Sequence, residues 1–212
     1  MPVFQLTDEL IFPHPSLAED GILAIGGDLS PERLLLAYKN GIFPWYNEDE
    51  PIIWHAPDPR FVLFPEKFKK SKSLRLLINK EIYRCEVNKN FEEVLRNCKT
   101  TPRKDQGGTW ITADMEKAYN RLHYLGYAVS VEVYNRKNEL CGGLYGIKLG
   151  KVFFGESMFS KESNTSKIAL AYLIENSEIK LIDAQVYTAH LESLGAEHIP
   201  LNEFLLLLRK YI

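Results

Sequence analysis

Three strand-like segments in close succession, at 127–134, 140–149 and 151–154, constrain this chain more than any other feature. The links between them, Asn135 to Asn138 and Gly150, are short runs of turn formers that suit antiparallel hairpins. A helical stretch at 164–176 follows, and then another strand at 180–187. A meander that feeds a helical crossover into a further strand predicts an α+β fold with a mixed sheet.

Polar residues interrupt those apolar strands at informative places. After Lys151-Val152-Phe153-Phe154 comes Gly155-Glu156-Ser157-Met158-Phe159-Ser160, which predicts a carboxylate leaving a buried strand at a glycine turn, at the mouth of a site. Asp183 and Gln185 break the apolar run 181–187 at a spacing of two, which puts both side chains on one strand face. A buried carboxylate is costly unless paired, so Asp183 is either hydrogen-bonded internally or chemically useful. Glu156 is open to two readings, a proton acceptor or cation partner, or a turn carboxylate accepting backbone hydrogen bonds.

The first sixty residues are different in kind, rich in Pro and Gly, with Gly26-Gly27-Asp28 and prolines at 13, 15, 44, 51, 57 and 59. One helix is well marked there, because Ser30 can cap it, Pro31 suits its first position and Gly41 can stop it. A small loop-rich domain over 1–62 and a larger one over 63–212 are therefore expected. In the second part, helices are expected at 71–80, 91–98, 112–126 and 203–211, the last capped by Asn202, with a strand at 82–87.

At 45% hydrophobic and 25% charged residues, the composition is that of an ordinary globular protein. The longest apolar run, 204–208, is far short of a bilayer span, and Met1-Pro2-Val3-Phe4 does not resemble a secretory signal; a cytoplasmic protein is expected. Cys85, Cys98 and Cys141 are odd in number and lack C-x-x-C spacing, which argues against a disulfide framework or zinc site and for buried, inert thiols. A net charge of −2 disfavours indiscriminate nucleic-acid binding. One segment runs against it: Lys67, Lys69, Lys70, Lys72, Arg75 and Lys80 stand against Glu66 alone, either as a solvated helix face or as phosphate contacts.

Trp45 and Trp110 lie in loops where an indole can stack on a nucleobase or pack at a domain contact, whereas Trp54, within Ile52-Ile53-Trp54, is assigned to packing. His123 and His190 have no Cys or Ser partner motif and are given structural roles. Gly142-Gly143 and Gly146 inside a strand imply a bulge or a close backbone approach, and they lack the order of a dinucleotide fingerprint. Acetyl-coenzyme A acyltransferases hold pyrophosphate with an R/Q-x-x-G-x-G/A loop; no Arg or Gln begins that pattern here, so the acyl donor is not expected to be coenzyme A.

Several words occur in order: G-I-L-A-I-G-G-D-L-S-P-E-R-L-L-L-A-Y, G-I-F-P-W-Y, P-D-P-R, G-T-W-I-T, S-V-E-V with G-G-L-Y-G, and G-E-S-M-F-S with L-I-D-A-Q-V. Together they resemble the leucyl/phenylalanyl-tRNA–protein transferase family from Phe12 to Phe204. The resemblance implies a small N-terminal domain followed by a GCN5-related acetyltransferase-like domain. It implies transfer of leucine or phenylalanine, and less readily methionine, from aminoacyl-tRNA to proteins with N-terminal Lys or Arg. The product is a degradation signal of the bacterial N-end rule pathway.

On this resemblance, Trp45 and Trp110 surround the terminal adenosine and aminoacyl group, Glu156 is the carboxylate of G-E-S-M-F-S, and Asp183 and Gln185 are the pair that handles the acceptor amine. Phe153, Met158, Leu170, Leu173 and Ile182 fall in the aminoacyl side-chain pocket, closed by Leu144. Three positions depart from the family pattern: His55 for a second tryptophan, Ala184 for the cysteine of I-D-C-Q, and Val129 for a histidine. An aminoacyl ester is already activated, so neither ATP, nor a metal, nor another cofactor is expected. The acceptor amine must lose a proton; Gln185 is expected to orient it, with Asp183 polarising Gln185 or taking the proton and Glu156 holding the cationic acceptor. A related ligase with another acceptor specificity and a non-catalytic RNA-binding module are the alternatives.

Overall fold

The computed structural model describes residues 3–101 and 111–212. The chain begins with a four-stranded sheet in the order β1-β2-β4-β3, formed by β1 (Phe4–Leu6), β2 (Ile22–Gly26), β3 (Phe43–Pro44) and β4 (Ile53–His55). These strands are too short and too interrupted by proline to announce themselves by periodicity. Helix α1 (Pro31–Lys39) sits between β2 and β3, and Ser30 Oγ accepts from Arg33 N at 3.3 Å as its cap. It ends where expected: Gly41 has φ +74°, and a Cβ there would come within 3.0 Å of the Phe204 ring.

From Arg60 onward the chain builds a seven-stranded sheet. In chain order its elements are β5 (Arg60–Leu63), α2 (Lys72–Asn79), β6 (Arg84–Val87), α3 (Phe91–Thr100), α4 (Ala113–Tyr124), β7 (Ala128–Tyr134), β8 (Leu140–Leu149) and β9 (Val152–Ser160). Then come α5 (Thr165–Glu175), β10 (Leu181–Gln185), α6 (Ala189–Ser193), β11 (Glu197–Ile199) and α7 (Leu201–Tyr211). The strand order is β11-β5-β10-β9-β8-β7-β6. Within this sheet, among the described residues, only β9 and β10 pair in parallel, because α5 carries the chain across the sheet between them; the other pairs are antiparallel. The fold is thus α+β with a mixed sheet. Residues of α1, α3, α4 and α7 pack on one face, with Tyr145 and Phe154, and residues of α2, α5 and α6 on the other, with Phe153 and Leu144. Glu132, fully buried on β7, accepts from the backbone N–H groups of Lys89 and Asn90 at the start of α3, and from Ser130 Oγ at 2.5 Å, which explains a carboxylate inside S-V-E-V.

Several local expectations are corrected. The third meander strand does not stop at Phe154 but runs to Ser160, because Gly155 and Ser157 through Ser160 find partners along the ten-residue β8. The strand at 180–187 ends at Gln185, which still pairs with Phe61 of β5 but has left the β9 ladder and has a φ of +63°. Helix α7 starts at Leu201, one residue before the expected cap Asn202; its first N–H is met by Asp58 Oδ1 at 3.0 Å from far along the chain. Cys98 and Cys141 are buried, but Cys85 is only partly so.

Two irregularities position the site. Between the pairs Tyr145↔Ser157 and Gly146↔Gly155, β9 has one residue more than β8, and that extra residue is Glu156. Gly146 opposite it tolerates no side chain, since a Cβ would lie 2.1 Å from the Phe154 carbonyl oxygen. On β10 the extra residue is Ala184, between Asp183↔Val62 and Gln185↔Phe61. The β9–β10 ladder stops at Asp183↔Phe154, and beyond it both strands bulge.

Candidate active site

A cavity of about 620 Å³ opens at that end of the ladder. Leu144, Phe153, Met158, Leu170, Ile182 and Ala184 give it apolar walls, and Glu156, Gln185, Trp45 and Tyr187 also line it. Five of the six positions expected in an aminoacyl pocket therefore line one space. The sixth, Leu173, belongs to the same apolar cluster but packs behind the wall, one helical turn beyond Leu170 on α5. Ala184, the departure from I-D-C-Q, lines the cavity as well.

Glu156 does not stand in a turn. Its bulge sends the side chain into the interior, where it is 8% exposed and meets three donors. Tyr38 Oη donates to Oε1 at 2.7 Å, Tyr119 Oη to Oε2 at 2.8 Å, and Gln185 Nε2 to Oε1 at 2.9 Å. The two phenol oxygens are themselves 2.6 Å apart. Two phenolic hydrogens cannot fill all three oxygen–oxygen contacts at once; when Glu156 is protonated its own hydrogen fills the third, the carboxyl donating to one phenol and that phenol to the other. Burial pushes the Glu156 carboxyl up to about 7 against the hydrogen bonds that favour its charge, and burial beside it raises both phenols well above their usual range.

This shift gives stability a defined pH slope. Between roughly pH 4.5 and pH 7 the folded chain holds a proton that the unfolded chain has released, so the contribution is complete below the unfolded pKa and lost as pH rises through the folded one. Glu156→Gln, neutral at every pH, is expected to lose that slope. Between pH 5 and pH 8 its stability relative to the parent should improve by on the order of 3 kcal/mol, measured by urea unfolding at both pH values. A constant difference would mean that Glu156 is already ionised at pH 5.

Asp183 is fully buried and paired. Arg60 Nε donates to its Oδ1 at 2.8 Å and Arg60 Nη2 to its Oδ2 at 2.7 Å, a bidentate fork closed off from water. The guanidinium lies between the rings of Phe43 and Phe204, at 4.6 and 4.8 Å. Asp183 Oδ1 also accepts from the backbone N–H of Gln185 at 2.9 Å. The expected Asp183–Gln185 link therefore exists through the main chain, whereas the Gln185 side chain is held by Glu156. With its Nε2 committed there, Gln185 keeps its amide Oε1 as an acceptor.

At the rim, Trp45 is supported by His55, whose ring is 5.6 Å away and whose Nε2 lies 2.9 Å from the Trp45 carbonyl oxygen. His55 thus backs Trp45 from the neighbouring strand. Trp110 lies outside the described residues. Trp54 is fully buried, its Nε1 donating to the Gly26 carbonyl, and His123 stacks on Phe91 at 4.2 Å, both structural as expected. His190, assigned a structural role, instead lines the cavity.

The family model for leucyl/phenylalanyl-tRNA protein transferase matches residues 62–209, and the model for that family's N-terminal domain matches residues 27–58. The transferase of this name from Syntrophobacter fumaroxidans is 53% identical over 100% of this chain and 92% of its own length. The one from Flavobacterium johnsoniae is 55% identical over 98% of this chain and 99% of its own. The chain belongs to the leucyl/phenylalanyl-tRNA–protein transferase family. Among solved structures, a GCN5-related N-acetyltransferase from Kribbella flavida aligns with a TM-score of 0.36 at 8% identity, over 79% of this chain and 60% of that one.

For this leucyl/phenylalanyl-tRNA–protein transferase family member, sequence reasoning missed Tyr38, Tyr119 and Arg60 as parts of the site. Tyr38 and Tyr119 fall on the apolar faces of α1 and α4 and look like packing residues. Arg60 carried a usable signal, since it closes the word P-D-P-R and opens an otherwise apolar strand that turns out fully buried.

The basic run forms a short turn at Pro65–Lys67 and then α2, capped by Ser71. Lys67 pairs with Glu197 and Lys70 with Glu175. Among the described residues, Lys69, Lys72, Arg75 and Lys80 are exposed and form no ion pair. Lys69 N donates to the Leu194 carbonyl at 2.9 Å, so the run abuts the end of α6, whose residues Ala189, His190 and Leu191 line the cavity. No helix among the described residues is long and apolar enough to cross a membrane.

Proposed function

We propose that the chain transfers leucine or phenylalanine, and methionine less readily, from aminoacyl-tRNA to the α-amine of proteins that begin with Lys or Arg, marking them in the cytoplasm for N-end rule degradation. The observation that carries this reading is an apolar cavity with one oriented amide at its rim, the Gln185 side chain, anchored by a buried carboxyl. Leu144, Phe153, Met158, Leu170 and Ile182 take the aminoacyl side chain, with Leu173 behind them, and Trp45 and Trp110 take the terminal adenosine. Lys67, Lys69, Lys70, Lys72, Arg75 and Lys80 take phosphates of the tRNA.

The reaction forms a C–N bond at the ester carbonyl and breaks the bond to the ribose oxygen, which leaves with a proton. The attacking amine, with a pKa of about 7.7 to 8.0, must first give up its own. Gln185 Oε1 accepts an N–H of that amine and aims its lone pair at the carbonyl carbon. Asp183, held by Arg60, positions the Gln185 backbone, and Glu156, near pH 7 in affinity for a proton, anchors the amide and sits one group from the amine.

Purified protein should transfer from Leu-tRNA and Phe-tRNA to an Arg-initiated peptide, and use Ile-tRNA and Val-tRNA at least about tenfold less well. Leu and Ile have the same volume, so the branched Cβ must be refused by shape. Equal transfer from Ile-tRNA would remove the aminoacyl role from this cavity, and equal use of Asp- and Arg-initiated peptides would point to another acceptor specificity.

A further inference from the structure

We propose that Tyr187 is a stacking platform for the unpaired nucleotide that precedes the terminal adenosine of the tRNA. The proposal rests on the aminoacyl-tRNA reading above and assigns a residue to the donor's single-stranded end. Tyr187 follows Gln185 by two residues, lines the cavity and is 50% exposed. Its ring is nevertheless fixed. Phe61 meets it edge-on at 5.4 Å, His198 stacks with it at 5.9 Å and 26°, and its Oη donates to Glu192 Oε2 at 2.9 Å. An aromatic ring immobilised in advance loses little freedom when a ligand lies on it.

The surroundings point to RNA. His198 belongs to β11, whose Glu197 pairs with Lys67, and Leu194, just before β11, accepts from Lys69 N. Tyr187 thus stands between the cavity and the basic run. A strand whose phosphates follow that run and whose aminoacyl end enters the cavity passes over this ring. A basic track with an aromatic face beside it is the combination that binds unpaired nucleotides, each stack being worth a factor of about ten in affinity. Glu192, at the phenol, offers the competing reading, a ring and carboxylate that hold the acceptor's cationic side chain.

The test measures binding of a hairpin RNA ending in the single-stranded tRNA acceptor sequence, intact or abasic at the penultimate nucleotide. The abasic change should weaken binding to the parent protein about tenfold, to Tyr187→Phe by as much, and to Tyr187→Leu or Tyr187→Ser scarcely at all. The same penalty in all four proteins overturns the platform. So does a rise in KM for an Arg-initiated peptide in Tyr187→Leu with RNA affinity unchanged, which would assign the ring to the acceptor. Because binding is read without turnover, a chain that makes no product from Leu-tRNA refutes the transferase reading separately.

Discussion

Gln185→Leu is expected to lower single-turnover transfer to an Arg-initiated peptide by about 10²- to 10³-fold while leaving Leu-tRNA affinity within a few fold, the range seen when one oriented polar group is lost from an acyl-transfer site. The reason is local. Gln185 is the end residue of β10, held at φ +63° by the Asp183 carboxylate on its N–H and by Glu156 on its amide. A non-glycine residue in that conformation costs about 1 to 2 kcal/mol, so the surroundings hold it in place against its own preference. Leucine keeps the apolar contacts and removes the acceptor for the amine, so the loss falls on the attack step and not on donor binding. Gln185→Glu should be as slow, because a second carboxyl 2.9 Å from Glu156 obliges the pair to share one proton near neutral pH. Rates for Gln185→Leu within tenfold of the parent would show that the amide does not orient the nucleophile, and would move that role to a main-chain carbonyl or to the ribose.

Arg60→Met is expected to destabilise the chain by about 3 to 5 kcal/mol, the usual cost of leaving one member of a buried ion pair without its partner. Both side chains of the pair are 0% exposed, and among the described residues Asp183 pairs with no other cation. Replacing both, in Arg60→Met/Asp183→Leu, should recover most of that stability, since two apolar side chains among Phe43, Phe204 and Val62 need no solvation. Activity should not recover with it, because the Gln185 N–H then has no carboxylate to hold it in its left-handed turn. Urea unfolding and single-turnover rates on the same three proteins separate the two roles. A double variant that is stable and fully active would reduce the Arg60–Asp183 pair to a packing element with no part in positioning Gln185.

Much of this architecture was legible along the chain. Strand-like segments at 127–134, 140–149 and 151–154 joined by short runs of turn formers, capping by Ser30, and the single helical crossover were enough for the antiparallel meander and a mixed sheet. Asp183 and Gln185 stood out because a polar group in an apolar strand must be compensated, and Glu156 because a carboxylate follows a buried strand at a glycine. Such features depend on neighbours within a few residues, which is why the sequence alone exposes them. The compensating partners could not be read the same way. Arg60 lies 123 residues from Asp183, and Tyr38 lies 118 residues from Glu156. They meet because the strand order places β5 beside β10 and β10 beside β9, and because α1 and α4 cover the same face. The bulge at Glu156 is equally non-local, as it exists only when β9 is counted against β8. The sequence by itself determined which polar residues needed partners; the tertiary structure decided which partners they received, because pairing across a sheet depends on strand order and register that no single segment contains.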